Sequence, residues 1–165
     1  MISHTVLLTT VLLTTVFLSA CDPVDVGPDA YVPAALEVGN GHVAFVSFED
    51  GDTLELVRGV QGLQHVWVAI RVWGIEPRGT ILSLSLVRDR DEAVVSQPLH
   101  VRVSLTPVEG EPYSEVTGLT LVVPVPEEAL DEALTLRASV TEAGEGGEVV
   151  ALERPVRVAW SPGGY

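Results

Sequence analysis

Cys21 is the only cysteine in this chain of 165 residues. With no second thiol there is no intramolecular disulfide, which leaves nucleophilic chemistry at one sulfur. Three histidines follow it, His42, His65 and His100. None stands in a His-x-His or His-Glu-x-x-His spacing, so the residue pattern offers no zinc or copper ligand set. No serine lies in a Gly-x-Ser-x-Gly context, and no spacing suggests a nucleophile elbow. The reading is therefore that the protein is not an enzyme, with a small hydrolase as the least favoured alternative. His42 is expected to open a strand, His65 to hydrogen-bond near a turn, and His100 to face solvent.

Two acidic turns are the remaining chemistry. Glu49, Asp50, Asp52 and Glu55 surround Gly51, and Asp89, Asp91 and Glu92 form a second group. Calcium takes about six to eight hard oxygens, which makes Asp50, Asp52, Asp89 and Asp91 calcium candidates. The stretch EDGDTLE lacks a full Asp-x-Asp-x-Asp-Gly pattern, however, and Asp-Gly has a sufficient role as a hairpin turn. Solvated turns, with no metal and no cofactor, are the expectation. Trp67 and Trp73 stand six apart, so they share a face of one strand and are candidates for stacking on sugar or peptide. Trp67 is expected in the core.

All nine basic residues are arginine, set against 23 acidic ones, for a net charge of −14. Such a surface repels phosphate backbones, which excludes nucleic acid as a partner. Beyond residue 21 the chain is long enough for one domain whose core needs no disulfide or metal.

Val6 to Leu18, VLLTTVLLTTVFL, carries no charge. It falls well short of the about 20 residues that span a bilayer and fits the apolar centre of a secretory signal. Leu18-Ser19-Ala20-Cys21 comes next, followed by the helix- and strand-breaking DPVDVGPD. This motif resembles the lipobox of bacterial lipoproteins, in which small residues admit the signal peptidase and the thiol accepts diacylglycerol. The resemblance implies a signal helix over residues 1–20, cleavage between Ala20 and Cys21, and a covalent lipid on Cys21. Several acyl chains anchor firmly, at about 0.8 kcal/mol per buried CH₂. The partner so implied is a lipid bilayer of the bacterial cell envelope, and either the inner or the outer membrane satisfies the implication.

Residues 21–41 are rich in Pro, Gly and Asp and read as a tether. From residue 42 the pattern turns to short β-like runs divided by turn residues: 42–48, 54–58, 64–73, 80–88, 99–105, 119–125, 134–140 and 149–160. TILSLSLVR places Leu82, Leu84 and Leu86 on one face and Ser83 and Ser85 on the other. The last run is expected to break or bulge at Pro155. EEALDEA (127–133) hints at a single helical turn, and no crossover helix is visible. These features predict an all-β fold, a single antiparallel β-sandwich of seven or eight strands over 42–161 with a short tail over 162–165. The spacing resembles immunoglobulin-like and fibronectin type III-like domains. GVQGLQHVWVAIRVWG resembles uncharacterised bacterial secreted domains as well.

The expected function is a membrane-anchored lipoprotein whose sandwich is a non-enzymatic binding, adhesion or assembly module. Its partner would be another envelope or surface protein, or a glycan. The alternative is a calcium- or metal-dependent binding module that uses the acidic loops.

Overall fold

The computed structural model describes residues 32–59, 62–144 and 146–163. The expected signal helix, Ala20 and Cys21 lie outside the described residues. The strands are β1 (Ala35–Asn40), β2 (Val46–Ser47), β3 (Thr53–Arg58), β4 (Gln64–Trp73), β5 (Thr80–Arg88), β6 (Ala93–Val94), β7 (Leu99–Val103), β8 (Thr106–Pro107), β9 (Tyr113–Val122), β10 (Leu134–Thr141) and β11 (Val149–Trp160). A 3₁₀ turn at Pro126–Glu128 stands where one helical turn was expected. Eight strands have five residues or more, and the fold is all-β, as the spacing implied.

Alternation decides which side of each strand is buried. Val66, Val68, Ile70 and Val72 of β4 face Leu82, Leu84 and Leu86 of β5 and Leu134, Leu136, Ala138 and Val140 of β10 in one apolar core. Each large apolar side chain buried there contributes about 1.5–3 kcal/mol. In one sheet β4 pairs with β9 along one edge and with β1 and β3 along the other. In the second, β5 lies between β10 and β7, and β10 pairs onward with β11. Taking β4, β5, β9, β10 and β11 as strands B, C, E, F and G gives the immunoglobulin-like order, with B beside E and C-F-G contiguous.

Three expectations need correction. The first strand is Ala35–Asn40, inside the expected tether, and 42–48 contributes only the two-residue β2. Val38 of β1 is buried in the core, so the domain begins before residue 42. The ninth strand starts at Tyr113 rather than at 119. Pairing is also not wholly antiparallel, because β11 runs parallel to β3.

β11 neither breaks nor ends at Pro155. Its residues Val149 to Val156 pair with β10, and Arg157 to Trp160 pair with β3 in the other sheet. Proline stands where one neighbour is exchanged for another, the point at which a missing N–H costs the ladder least. Its carbonyl accepts the Gly51 N–H at 2.7 Å.

β9 carries a bulge. Val68 pairs with Leu119 and Ile70 with Val116, so Thr117 and Gly118 together oppose Ala69. Gly118 has φ 70°, and a Cβ there would lie 2.8 Å from the His42 carbonyl oxygen. Gly118→Ala should therefore lower stability by about 2 kcal/mol, from left-handed strain and steric conflict together. A thermal melt reads this directly, and an unchanged Tm would show that the bulge relaxes freely.

Candidate functional site

The odd-numbered residues of β4 point away from the core: His65, Trp67, Ala69, Arg71 and Trp73. Trp67, expected in the core, is half-buried on this outer face. The His42 ring stacks on it with centroids 4.2 Å apart at 31°, and His65 meets it edge-on at 4.6 Å and 83°. Further along, the Arg71 guanidinium lies 4.0 Å from the Phe45 ring and 4.6 Å from that of Tyr113, while Nε reaches Glu115 at 3.2 Å. Trp73 packs on Tyr113 at 5.1 Å. Gly39 makes room for Phe45, since a Cβ there would meet its ring at 2.6 Å. These contacts hold segment 41–48 across the face, and they occupy the aromatic surfaces with one another. His42 thus serves as a stacking group and does not open a strand. Trp160, 38% exposed, carries Arg58 over its ring at 4.7 Å.

The outer face of the second sheet has a different chemistry. Register places His100, Ser83, Ser139 and Ala151 side by side across β7, β5, β10 and β11. The next row carries Ser85, Arg137 and Glu153. Small side chains in the first row leave a groove of about 390 Å³. Ser83 Oγ and His100 Nδ1 are hydrogen-bonded at 2.8 Å. Arg137 donates from Nη2 to Glu92 at 2.6 Å. Its Nε lies 2.8 Å from Glu153, close enough for an ion pair but not aligned as a hydrogen bond. His100 faces solvent, as expected.

The serine–histidine contact is half of a nucleophilic constellation. Acyl transfer also needs donors aimed at a developing oxyanion. β5 is paired on both sides along this stretch, through Ser83 with Ser139 and with His100, so its backbone N–H groups belong to the ladder. The nearest cation in the groove, Arg137, is already engaged by two carboxylates.

The acidic turns fall into two separate places. Asp50 pairs with Arg154 at 2.6 Å, and Asp52 accepts the Glu49 N–H at 2.8 Å. With Glu37 and Glu49 they border a hollow of about 700 Å³. Asp91 is held bidentately by Arg88 at 3.0 and 2.9 Å, and that hydrogen bonding keeps its carboxyl below the usual range. Asp89 accepts the Thr135 hydroxyl at 2.8 Å. Among the described residues no three His, Cys, Asp or Glu side chains are grouped so as to hold a metal ion. Nor is any described helix long and apolar enough to cross a membrane.

No family model, curated protein or solved structure matches the chain.

His65 is only 8% exposed, and its Nε2 has no hydrogen-bond partner among the described residues. Burial pushes its pKa down, a backbone hydrogen bond at Leu63 partly opposes this, and the neighbouring His42 adds to the lowering. The folded state thus prefers the neutral ring more than the unfolded chain does. Stability is fully present above the unfolded value near 6.5 and is lost as pH falls through the lower folded pKa. Thermal melts between pH 7.5 and 5.5, above the range of the carboxylates, should show Tm falling with acid. His65→Phe should flatten that slope, and an equal slope in the variant would assign it elsewhere.

Proposed function

We propose that this chain is a bacterial lipoprotein, acylated on Cys21, that presents its sandwich in the cell envelope as a non-enzymatic binding, adhesion or assembly module. The observation that carries the reading is Leu18-Ser19-Ala20-Cys21 directly after the apolar run from Val6 to Leu18. Eleven residue steps separate Cys21 from Val32, where the described residues begin. Extended, they reach at most about 40 Å, enough to hold a domain clear of headgroups. The lipid is covalent, and no other added group enters the proposal.

A binding role is supported by what the surface offers. The paired groups on the second sheet have a nucleophile and a base but no oxyanion donors on the strand beneath them. A partner protein or glycan of the envelope would meet a rigid strand scaffold, on which recognition groups are held in fixed register. The strongly negative surface disfavours anionic lipid headgroups and nucleic acid as partners.

Cells fed an alkyne-bearing fatty acid should incorporate it into the native protein, which should sediment with membranes. Cys21→Ala should abolish the label and move the protein to the soluble fraction. Label persisting in Cys21→Ala would remove the lipoprotein reading.

A further inference from the structure

We infer that the groove across the outer face of the β7-β5-β10-β11 sheet is a binding site for a short neutral saccharide. This rests on the reading of the domain as a binding module. The floor is the row His100, Ser83, Ser139 and Ala151, which register fixes across four adjacent strands. Ser85 and Arg137 stand in the next row and form one wall.

The groups that converge there select the ligand. The Ser85 and Ser139 hydroxyls make no side-chain hydrogen bond among the described residues, and each can both donate and accept. His100 uses Nδ1 on Ser83, which leaves Nε2 to donate or accept according to tautomer. Arg137 keeps donors beyond those directed at Glu92 and Glu153. A set of mixed donors and acceptors matches a ligand whose own groups are hydroxyls. The exposed Ala151 methyl supplies apolar contact for the C–H face of a sugar ring.

Charge narrows the class. Arg137 is the cation of the groove and is flanked by two carboxylates, so the triad carries net negative charge. An anionic ligand would have to displace one of them against a molecular charge of −14. The lining also lacks a grouping of metal ligands among the described residues. The volume of about 390 Å³ lies at the small end of ligand pockets, suited to one or two sugar rings.

The test uses the full chain in a polyoxyethylene detergent, because glycosidic detergents would compete. Isothermal titration is run with cellotriose and triacetylchitotriose, and with trigalacturonate as the anionic comparison. At least one neutral trisaccharide should bind with Kd of about 1 mM or tighter. The His100 ring resonances should shift on binding, while those of His42 and His65 stay in place. Ala151→Phe fills the floor at an exposed position and should weaken binding by about tenfold or more. Ser139→Val removes one hydroxyl with a strand-favouring side chain, and it decides the matter if the phenylalanine variant misfolds. Trp73→Phe, on the other sheet, should bind like the native protein.

Absence of binding by both neutral probes would overturn the inference. So would unchanged affinity in both groove variants, or tighter binding of trigalacturonate. Release of shorter sugars, lost in Ser83→Ala, would overturn it in favour of hydrolysis. Fatty-acid labelling at Cys21 reads the lipoprotein proposal independently, so either can fail alone.

Discussion

One strand belongs to both sheets, and most of the structure depends on how it does so. β11 stays antiparallel to β10 as far as Val156 and then lies parallel to β3 from Arg157 onward. The transfer happens beside Pro155, whose carbonyl is held by Gly51, while the Asp52 carbonyl accepts the Arg157 N–H at 2.9 Å. The tight turn around Gly51 thus fixes where the strand changes sheets. Val156 and Val158, on either side of the transfer, are both buried in the core. Had β11 stopped at proline, β3 would have lost its second neighbour. The same strand sets Ala151 and Glu153 beside β10, and so one side of the groove.

Six of the nine arginines are held in fixed pairs with a carboxylate or an aromatic ring. Arg71, Arg88, Arg90, Arg137 and Arg154 each meet a carboxylate, and Arg58 and Arg71 lie over aromatic rings. A planar fork suits both geometries better than an ammonium would, which accords with a chain that has no lysine. Most of these pairs are solvent-exposed, where water and salt screen them, so each contributes little to stability. Their effect is mainly electrostatic: few cations remain to offset the surplus carboxylates.

The strands legible in the sequence are those with clean alternation. Runs 80–88 and 149–160 coincide with β5 and β11, and 64–73 coincides with β4. β1 escaped because only Leu36 and Val38 alternate before glycine intervenes, while the apolar run from Val43 to Val46 imitated a strand. That run lies over an aromatic face, where apolar side chains are also favoured. β4 is apolar on both faces, so period alone does not say which parity is inward. Arg71 does say it: standing four residues from Trp67, it shares that side chain's face, and a charge belongs outside. The Ser83–His100 contact has no counterpart in local sequence. Seventeen positions separate the two, and only the β5–β7 register brings them together.

A sandwich has two outer faces, and here the chain treats them oppositely. On the β4 side, segment 41–48 is laid across the sheet and held by His42 on Trp67 and by Phe45 on Arg71. The carbonyl oxygens of that segment take part as well, since Gly41 accepts the Gly118 N–H at the bulge. Opening this face to a partner would mean breaking those stacks and that hydrogen bond first. On the β5 side no segment among the described residues crosses the row of small residues, and the polar groups around it retain hydrogen-bonding capacity. Recognition through the second face therefore requires no prior rearrangement, and rigid strands would hold its groups at the geometry a ligand needs.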